Sequence, residues 1–382
     1  MGPQGKLQLR AMLERIAGGE ANRHPGEPSL WEVLSMLVMM FVLHLLAVCR
    51  VSNFWDAADW LDNASYIEIA RTIRQGHPAG GWFPHHFWGF PYAIAAVSKL
   101  LGIRELTAIV VISMLGSLAV CVLVHRLYGG WVAAVFIFIN YQWIEISVEG
   151  GSEPLFICLL CASFLAARSN RWELAALLAA LGTTVRPVGV LALLSLAAVL
   201  AWRKNWRQLA ATALIGLGIG ILYVVPIWIH YGSPFASLIQ YQRDLGTRGW
   251  PLTYPFHTLA TSYWEFVHLE SIHWYTFANF AFCVALALVG TAAMWLLRTC
   301  EEFPLYPTET LFASLYTLFL ISYNYPYIAG HFPRYLLPVV PILLYSLRDW
   351  IPRVRPLLWA GAVLSALLSA AARVGFENLI RF

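Results

Sequence analysis

Three carboxylates, Asp56, Asp59 and Asp62, stand three residues apart in the stretch FWDAADWLDNASYIEIARTIRQG, Phe54 to Gly76. A carboxylate within hydrogen-bond reach of an alcohol can take its proton as a bond forms at carbon, so each is a candidate general base. Two other uses of the spacing compete with this one. Asp62 can cap a helix starting at Asn63 by accepting its first free amides, and Asp59 can cap one starting a turn earlier. Positions i, i+3 and i+6 also share one helical face, where a divalent cation could sit, although no Gly turn or fixed ligand geometry accompanies them. Asn63-Ala64-Ser65 matches a glycosylation sequon and is read as coincidence.

The candidate cations lie far away in the chain. Arg186, in TTVRPVG, falls between two apolar halves. An arginine before a proline at a helix break suits an anion, since its guanidinium forks two oxygens and the break frees backbone donors; a snorkelling arginine is the bland alternative. Arg334, in HFPRYLLP, has a similar place, with His331 three residues before it and Tyr335 after it. Together the two arginines suit a phosphate held at membrane level. Glu153, Glu149, His85 and His86 complete the polar set. The two histidines, in WFPHHFWGFP, either bond a substrate or sit among headgroups.

The elements that must position these residues are membrane helices. Of 382 residues, 59% are hydrophobic and 12% charged, with 17 Trp and 17 Tyr and a mean hydropathy of +0.63. That balance excludes an ordinary soluble domain. The net charge of +4 falls in short clusters between apolar runs rather than in a stripe, which argues against nucleic acid. Six cysteines lie in or beside apolar segments, and the one CxxC, Cys158 to Cys161, has no second pair, so buried thiols are expected rather than a metal or redox site.

Residues 1–28 read as a cytoplasmic amphipathic tail, with Leu9, Met12, Leu13 and Ile16 at helical spacing, and residues 29–382 as a single membrane module. The first apolar run, from Val33, is expected to remain as an anchor. About eleven spans are expected, at 33–51, 106–125, 131–147, 152–167, 173–184, 187–202, 209–230, 277–297, 309–323, 335–347 and 357–372. Two elements in the outer loop 53–105 read as interfacial helices: a stripe of Tyr66, Ile69 and Ile73 ended by Gly76, and His86 to Leu101. Arg126, Arg168, Arg171, Arg203, Lys204, Arg207, Arg348, Arg353 and Arg355 then fall in cytoplasmic connections. The acids, the two site arginines and a second long loop, 231–273, fall outside. Charged groups gathered at one end of a bundle imply a polar cavity there, because each costs ~2.5–3.5 kcal/mol in a span.

These pieces resemble the GT-C superfamily of integral membrane glycosyltransferases. The likeness lies in Asp62-x3-Tyr66-x2-Ile69-Ala70 after the first span, Ser152-Glu153-Pro154-Leu155-Phe156, Arg186-Pro187-x-Gly189, and Pro333-Arg334-Tyr335-Leu336-Leu337-Pro338 followed by Pro341. It covers about 50 to 345 and is nearest in flavour to protein O-mannosyltransferases, the aminoarabinose transferase of lipid A and the second mannosyltransferase of GPI anchor synthesis. The acidic pair of that pattern is here Asp62-Asn63, which keeps Asp59 in contention as the base.

The resemblance implies an all-α polytopic bundle and an inverting transferase. A sugar, a hexose such as mannose, would move from a polyprenyl-phosphate donor to a hydroxyl on a lipid, glycan or protein acceptor. Asp62 or Asp59 would be the base and Arg334 and Arg186 would hold the lipid phosphate. His331, Glu153, His85, His86, Asp56, Tyr66 and Tyr335 would line the substrate. No cofactor is required and no metal is assigned, a divalent cation being optional. The place implied is a bacterial inner membrane, with the site on its periplasmic face. A transporter or flippase, an acyltransferase and an O-antigen-ligase-like enzyme are the alternatives.

Overall fold

The computed structural model describes residues 26–51, 53–55, 61–76, 86–244, 252–257, 259–261, 274–297, 306–324 and 328–375. Asp56, Asp59, His85 and the tail to residue 25 lie outside them. The described residues form sixteen α-helices and no strand, the all-α bundle that the composition calls for.

Among the described residues five helices are long and apolar enough to cross a membrane: α1 (Leu30–Val51), α4 (Glu105–Tyr128), α10 (Trp206–Tyr231), α12 (Trp274–Leu297) and α16 (Arg355–Val374). The protein is an integral membrane protein. Length does not support a count of eleven. Residues 131–147 form two helices, α5 (Gly130–Phe138) and α6 (Gln142–Val148), bent by 83° at a break, which makes six spans if the pair is one. The cause of the break is Asn140, whose Oδ1 accepts from Gln142 N at 3.1 Å and so starts a new helix. Residues 335–347 are likewise divided, between α14 (Ile328–Leu336) and α15 (Val340–Ser346).

Small residues let the helices approach closely, as packing inside a membrane requires. On α8 (Trp172–Val185), Ala175, Ala176, Ala179 and Ala180 are buried, and Gly182 meets the Phe156 ring of α7 (Glu153–Arg168). On α16, Ala362, Ser365, Ala366, Ser369 and Ala370 are buried, as are Val33, Met36, Leu37 and Met40 on α1, against which it packs. The other face of α1 exposes Trp31, Val38, Val42 and Leu46, side chains suited to lipid.

Two shorter helices precede α4. The first, α2 (Leu61–Gln75), buries Tyr66, Ile69 and Ala70, close to the expected stripe, and α3 (Gly89–Leu101) ends where Gly102 turns left-handed at φ +65°. α2 is fixed at both ends. Near its C-terminus Arg74 Nη1 donates to Ser98 Oγ of α3 at 2.9 Å and to Glu105 Oε1 of α4 at 2.5 Å. In its first turn Asn63 Nδ2 donates to Glu149 O at 3.1 Å. A buried Asn63 with its amide so used is no glycan acceptor, in keeping with the sequon being coincidence. The described cysteines are all free thiols, Cys158 and Cys161 among them.

Candidate active site

Four charged side chains from four segments meet at one end of the bundle. Glu153 is the first residue of α7, after the N-cap Ser152, where the helix dipole favours an acid. Arg186 sits in extended backbone (φ −141°, ψ 128°) between α8 and a 3-10 turn, Pro187–Gly189, because Pro187 cannot continue the helix. Arg334 lies on α14, following Pro333, and Asp62 lies in the first turn of α2.

Glu153 Oε1 accepts from both Arg334 Nε and Arg186 Nη1. Arg334 Nη1 reaches on to Asp62 Oδ2 at 3.1 Å, and Arg186 Nη1 donates to Ser152 Oγ at 3.3 Å. Arg186 and Arg334 are therefore linked through the Glu153 carboxylate, and Asp62 joins them through Arg334. Glu153 is 1% exposed and Arg334 8%, whereas the Asp62 side chain keeps 35% of its surface open. A buried guanidinium needs its counter-charge, and here two cations face two anions. The acid that remains accessible is Asp62.

Capping does not account for Asp62. Asp62 lies inside α2, which is described from Leu61, rather than before its first residue, and its carboxylate is engaged with Arg334. Glu153 is also more deeply set than a substrate-lining residue, since it holds the two arginines in place. Arg168, read from sequence as a topology charge, is instead paired inside the bundle with Glu309, Nε to Oε1 at 2.6 Å.

Aromatic residues frame the set. Tyr335 lies beneath Arg186, whose Cζ is 5.5 Å from its ring, and the His331 and Tyr335 rings stand 5.8 Å apart. Tyr316 Oη donates to Tyr335 O at 2.7 Å, which fixes that turn of α14. Tyr66 packs on His86 at 5.0 Å and on Phe90 at 5.1 Å, with its hydroxyl 3.5 Å from Ser152 Oγ. Burial pushes the Tyr66 phenol up to about 12, and the Asp62 carboxylate adds to the rise, so the phenol remains a donor at neutral pH.

Sequence reasoning missed Ser152 as a bridge, Asn63 as a tether and a second polar network beside the first. Glu149 is not one of the converging acids. Its Oε1 meets His44 Nε2 at 3.1 Å and its Oε2 accepts from Arg373 Nε at 3.1 Å, while His44 Nδ1 pairs with Ser369 Oγ at 3.0 Å. A histidine midway along α1 was the available signal.

No protein-family model matches the sequence, and no curated protein matches it. Among solved structures, the chain is similar to ArnT from Cupriavidus metallidurans bound to undecaprenyl phosphate, with a TM-score of 0.54 at 15% identity, over 91% of this chain and 78% of that one. It is also similar to the Archaeoglobus fulgidus oligosaccharyltransferase in the apo form, with a TM-score of 0.48 at 14% identity, over 90% of this chain and 56% of that one. At such identity the first likeness speaks to fold alone, and the chain shares the fold of ArnT.

Proposed function

We propose that the protein is an inverting glycosyltransferase that moves a sugar from a polyprenyl-phosphate donor to an acceptor hydroxyl. The observation that carries this is the chain Asp62–Arg334–Glu153–Arg186, in which an accessible carboxylate adjoins two guanidiniums held at the end of a membrane bundle. The fold shared with ArnT, whose structure holds undecaprenyl phosphate, supports the donor class.

Asp62 takes the proton of the acceptor hydroxyl as its oxygen attacks the anomeric carbon. The bond from that carbon to the phosphate oxygen breaks on the opposite face, and polyprenyl phosphate leaves with the electron pair. Its charge grows by one unit, and Arg334 and Arg186 stabilise that growth. Glu153 keeps the two cations together so that little reorganisation accompanies the step. A single phosphate leaves, so the arginines supply the positive charge and no metal is called for. The sugar we favour is a hexose such as mannose, and the site faces the periplasm of a bacterial inner membrane. Asp59 is the second candidate base.

The test is transfer of radiolabelled sugar from polyprenyl-phosphate donors by the wild type, Asp62→Asn and Asp59→Asn. The expected result is loss of transfer in Asp62→Asn. Full activity in both variants would remove the base assignment.

A further inference from the structure

α6 contains a feature that the proposed mechanism does not use. Five of its seven residues are buried, and only Gln142 and Glu145 keep accessible surface. They stand at i and i+3, hence on one face of the helix. A glutamine and a glutamate do not turn toward lipid at such cost, so the space they face is a polar recess. Tyr141, at i−4 from Glu145, continues this face, and its ring meets that of Tyr275 at 6.1 Å.

The recess adjoins the candidate active site. Asn140 Nδ2 donates to Pro333 O at 2.8 Å, which fastens the start of α6 to the residue before Arg334. Asn279 Nδ2 donates to Asn140 Oδ1 at 3.1 Å and closes the junction from α12. Glu145 lies five residues on, about 7.5 Å along the helix axis.

Among the described residues the Glu145 carboxylate has no hydrogen bond and no ion pair, and Gln142 Oε1 is buried without a hydrogen-bond partner. The charged groups around Glu145 are Glu149, Arg373 and Arg334. Both arginines are committed elsewhere, Arg373 to Glu149 and Arg334 to Glu153 and Asp62. Two acceptors with unspent lone pairs, next to an aromatic face and one junction away from Arg334, need a ligand rich in donors.

We infer that Glu145 and Gln142 form the subsite for the sugar ring of the lipid-linked donor, accepting hydrogen bonds from its hydroxyl or amino groups while Tyr141 borders the ring. This rests on the proposed placement of the donor phosphate at Arg334 and Arg186.

The experiment measures binding of polyprenyl phosphate, of polyprenyl-phosphate hexose and of a polyprenyl-phosphate amino sugar to the purified full-length protein. Wild type, Glu145→Gln, Glu145→Asp and Gln142→Ala are compared. The wild type is expected to bind a sugar-bearing lipid about tenfold or more tighter than bare polyprenyl phosphate. Glu145→Gln and Gln142→Ala should lose most of that gain while binding the bare lipid as the wild type does, and Glu145→Asp should keep part of it. Equal retention of the gain in every variant, equal weakening for bare and sugar-bearing lipid, or no gain in the wild type would each overturn the subsite. A gain that depends on Glu145 in a protein that transfers no sugar would leave the subsite standing and sink the transferase proposal.

Discussion

The two ends of α7 carry similar chemistry in different settings. At its C-terminus Arg168 donates from Nε to Glu309 Oε1 and from Nη1 to Leu127 O at 2.7 Å, with its Cζ 3.6 Å from the Tyr306 ring centroid and 5.2 Å from that of Tyr128. The cavity beside it measures about 20 Å³, room for roughly one water. At its N-terminus, about 22 Å away along the axis, Glu153 serves two arginines, and a second acid ends the chain while staying accessible. One end is a pair enclosed by tyrosines. The other is an assembly whose outermost member faces open space. Stoichiometry and exposure, more than the presence of buried charge, distinguish a binding site from a strut.

The strongest way to break this comparison is to remove the accessible acid. Asp62→Asn should lower kcat by about 10²–10⁴, the usual contribution of a general base, with a smaller loss of melting temperature in detergent than Arg168→Ala, because Arg334 keeps Glu153. A loss of both activity and folding would make Asp62 a strut like Glu309.

Arginine removal tests the two ends directly. Arg168→Ala strands the Glu309 carboxylate, which is 3% exposed, and should destabilise the protein by roughly 3–5 kcal/mol. The double change Arg168→Met with Glu309→Leu should restore most of that loss, since an apolar pair of similar volume often replaces a buried ion pair without cost. Arg334→Met with Glu153→Leu removes the carboxylate that Arg186 also uses, so unlike the pair at Arg168 it should stay destabilised and transfer no sugar. Melting curves and transfer rates on the same samples decide the matter. Activity in the second double variant would abolish the distinction.

How far this contrast could be read from sequence depends on the residue. Arg186, Arg334, Glu153 and Asp62 stood out because each is a charge in apolar or interfacial surroundings, and Pro187 marked the break that carries Arg186, whereas Arg334 follows Pro333 within a helix. The meeting of the two arginines on one Glu153 oxygen was not visible, because pairing between separate helices, at a separation of 181 residues for Arg334, leaves no local pattern. Arg168 had the composition of a topology signal and proved to be paired, since Glu309 lies 141 residues away. The helix ends at Gly76 and Gly102 were legible from glycine, whereas the 83° break at Asn140 was not, for neither Pro nor Gly stands there. That break hid Glu145, which seemed to fall within an ordinary span.

A smaller effect is expected at Gly151. A Cβ there would stand 2.8 Å from Glu153 Oε2 and 3.2 Å from Ile146 Cβ. The other oxygen of Glu153 is held by two arginines, so the carboxylate cannot swing away alone. Gly151→Ala should therefore slow transfer about tenfold by displacing the arginines together, with a stability loss of about 1–3 kcal/mol from overpacking. Gly182→Ala, whose added carbon makes ordinary contacts with the Phe156 ring at 3.6 Å and Leu159 Cβ at 3.8 Å, is the control and should leave transfer nearly unchanged. Equal rates for the two variants would mean that the geometry around Glu153 is less exacting than its double pairing implies.

The last effect, absent at neutral pH, concerns Tyr66, on a helix outside the spans. Its phenol is held at about 12 by burial and by Asp62, against about 10 in an unfolded chain. The folded state therefore binds this proton more tightly. The stability that follows is whole below pH 10 and is lost as pH rises through the interval from 10 to about 12, to a total of roughly 2–3 kcal/mol. Tyr66→Phe has no proton to lose, so its melting temperature relative to the wild type should be constant from pH 7 to 9 and should rise above pH 10. A flat difference up to pH 11 would mean that Tyr66 opens to water together with Asp62, which would enlarge the accessible part of the N-terminal assembly and widen its contrast with the enclosed pair at Arg168.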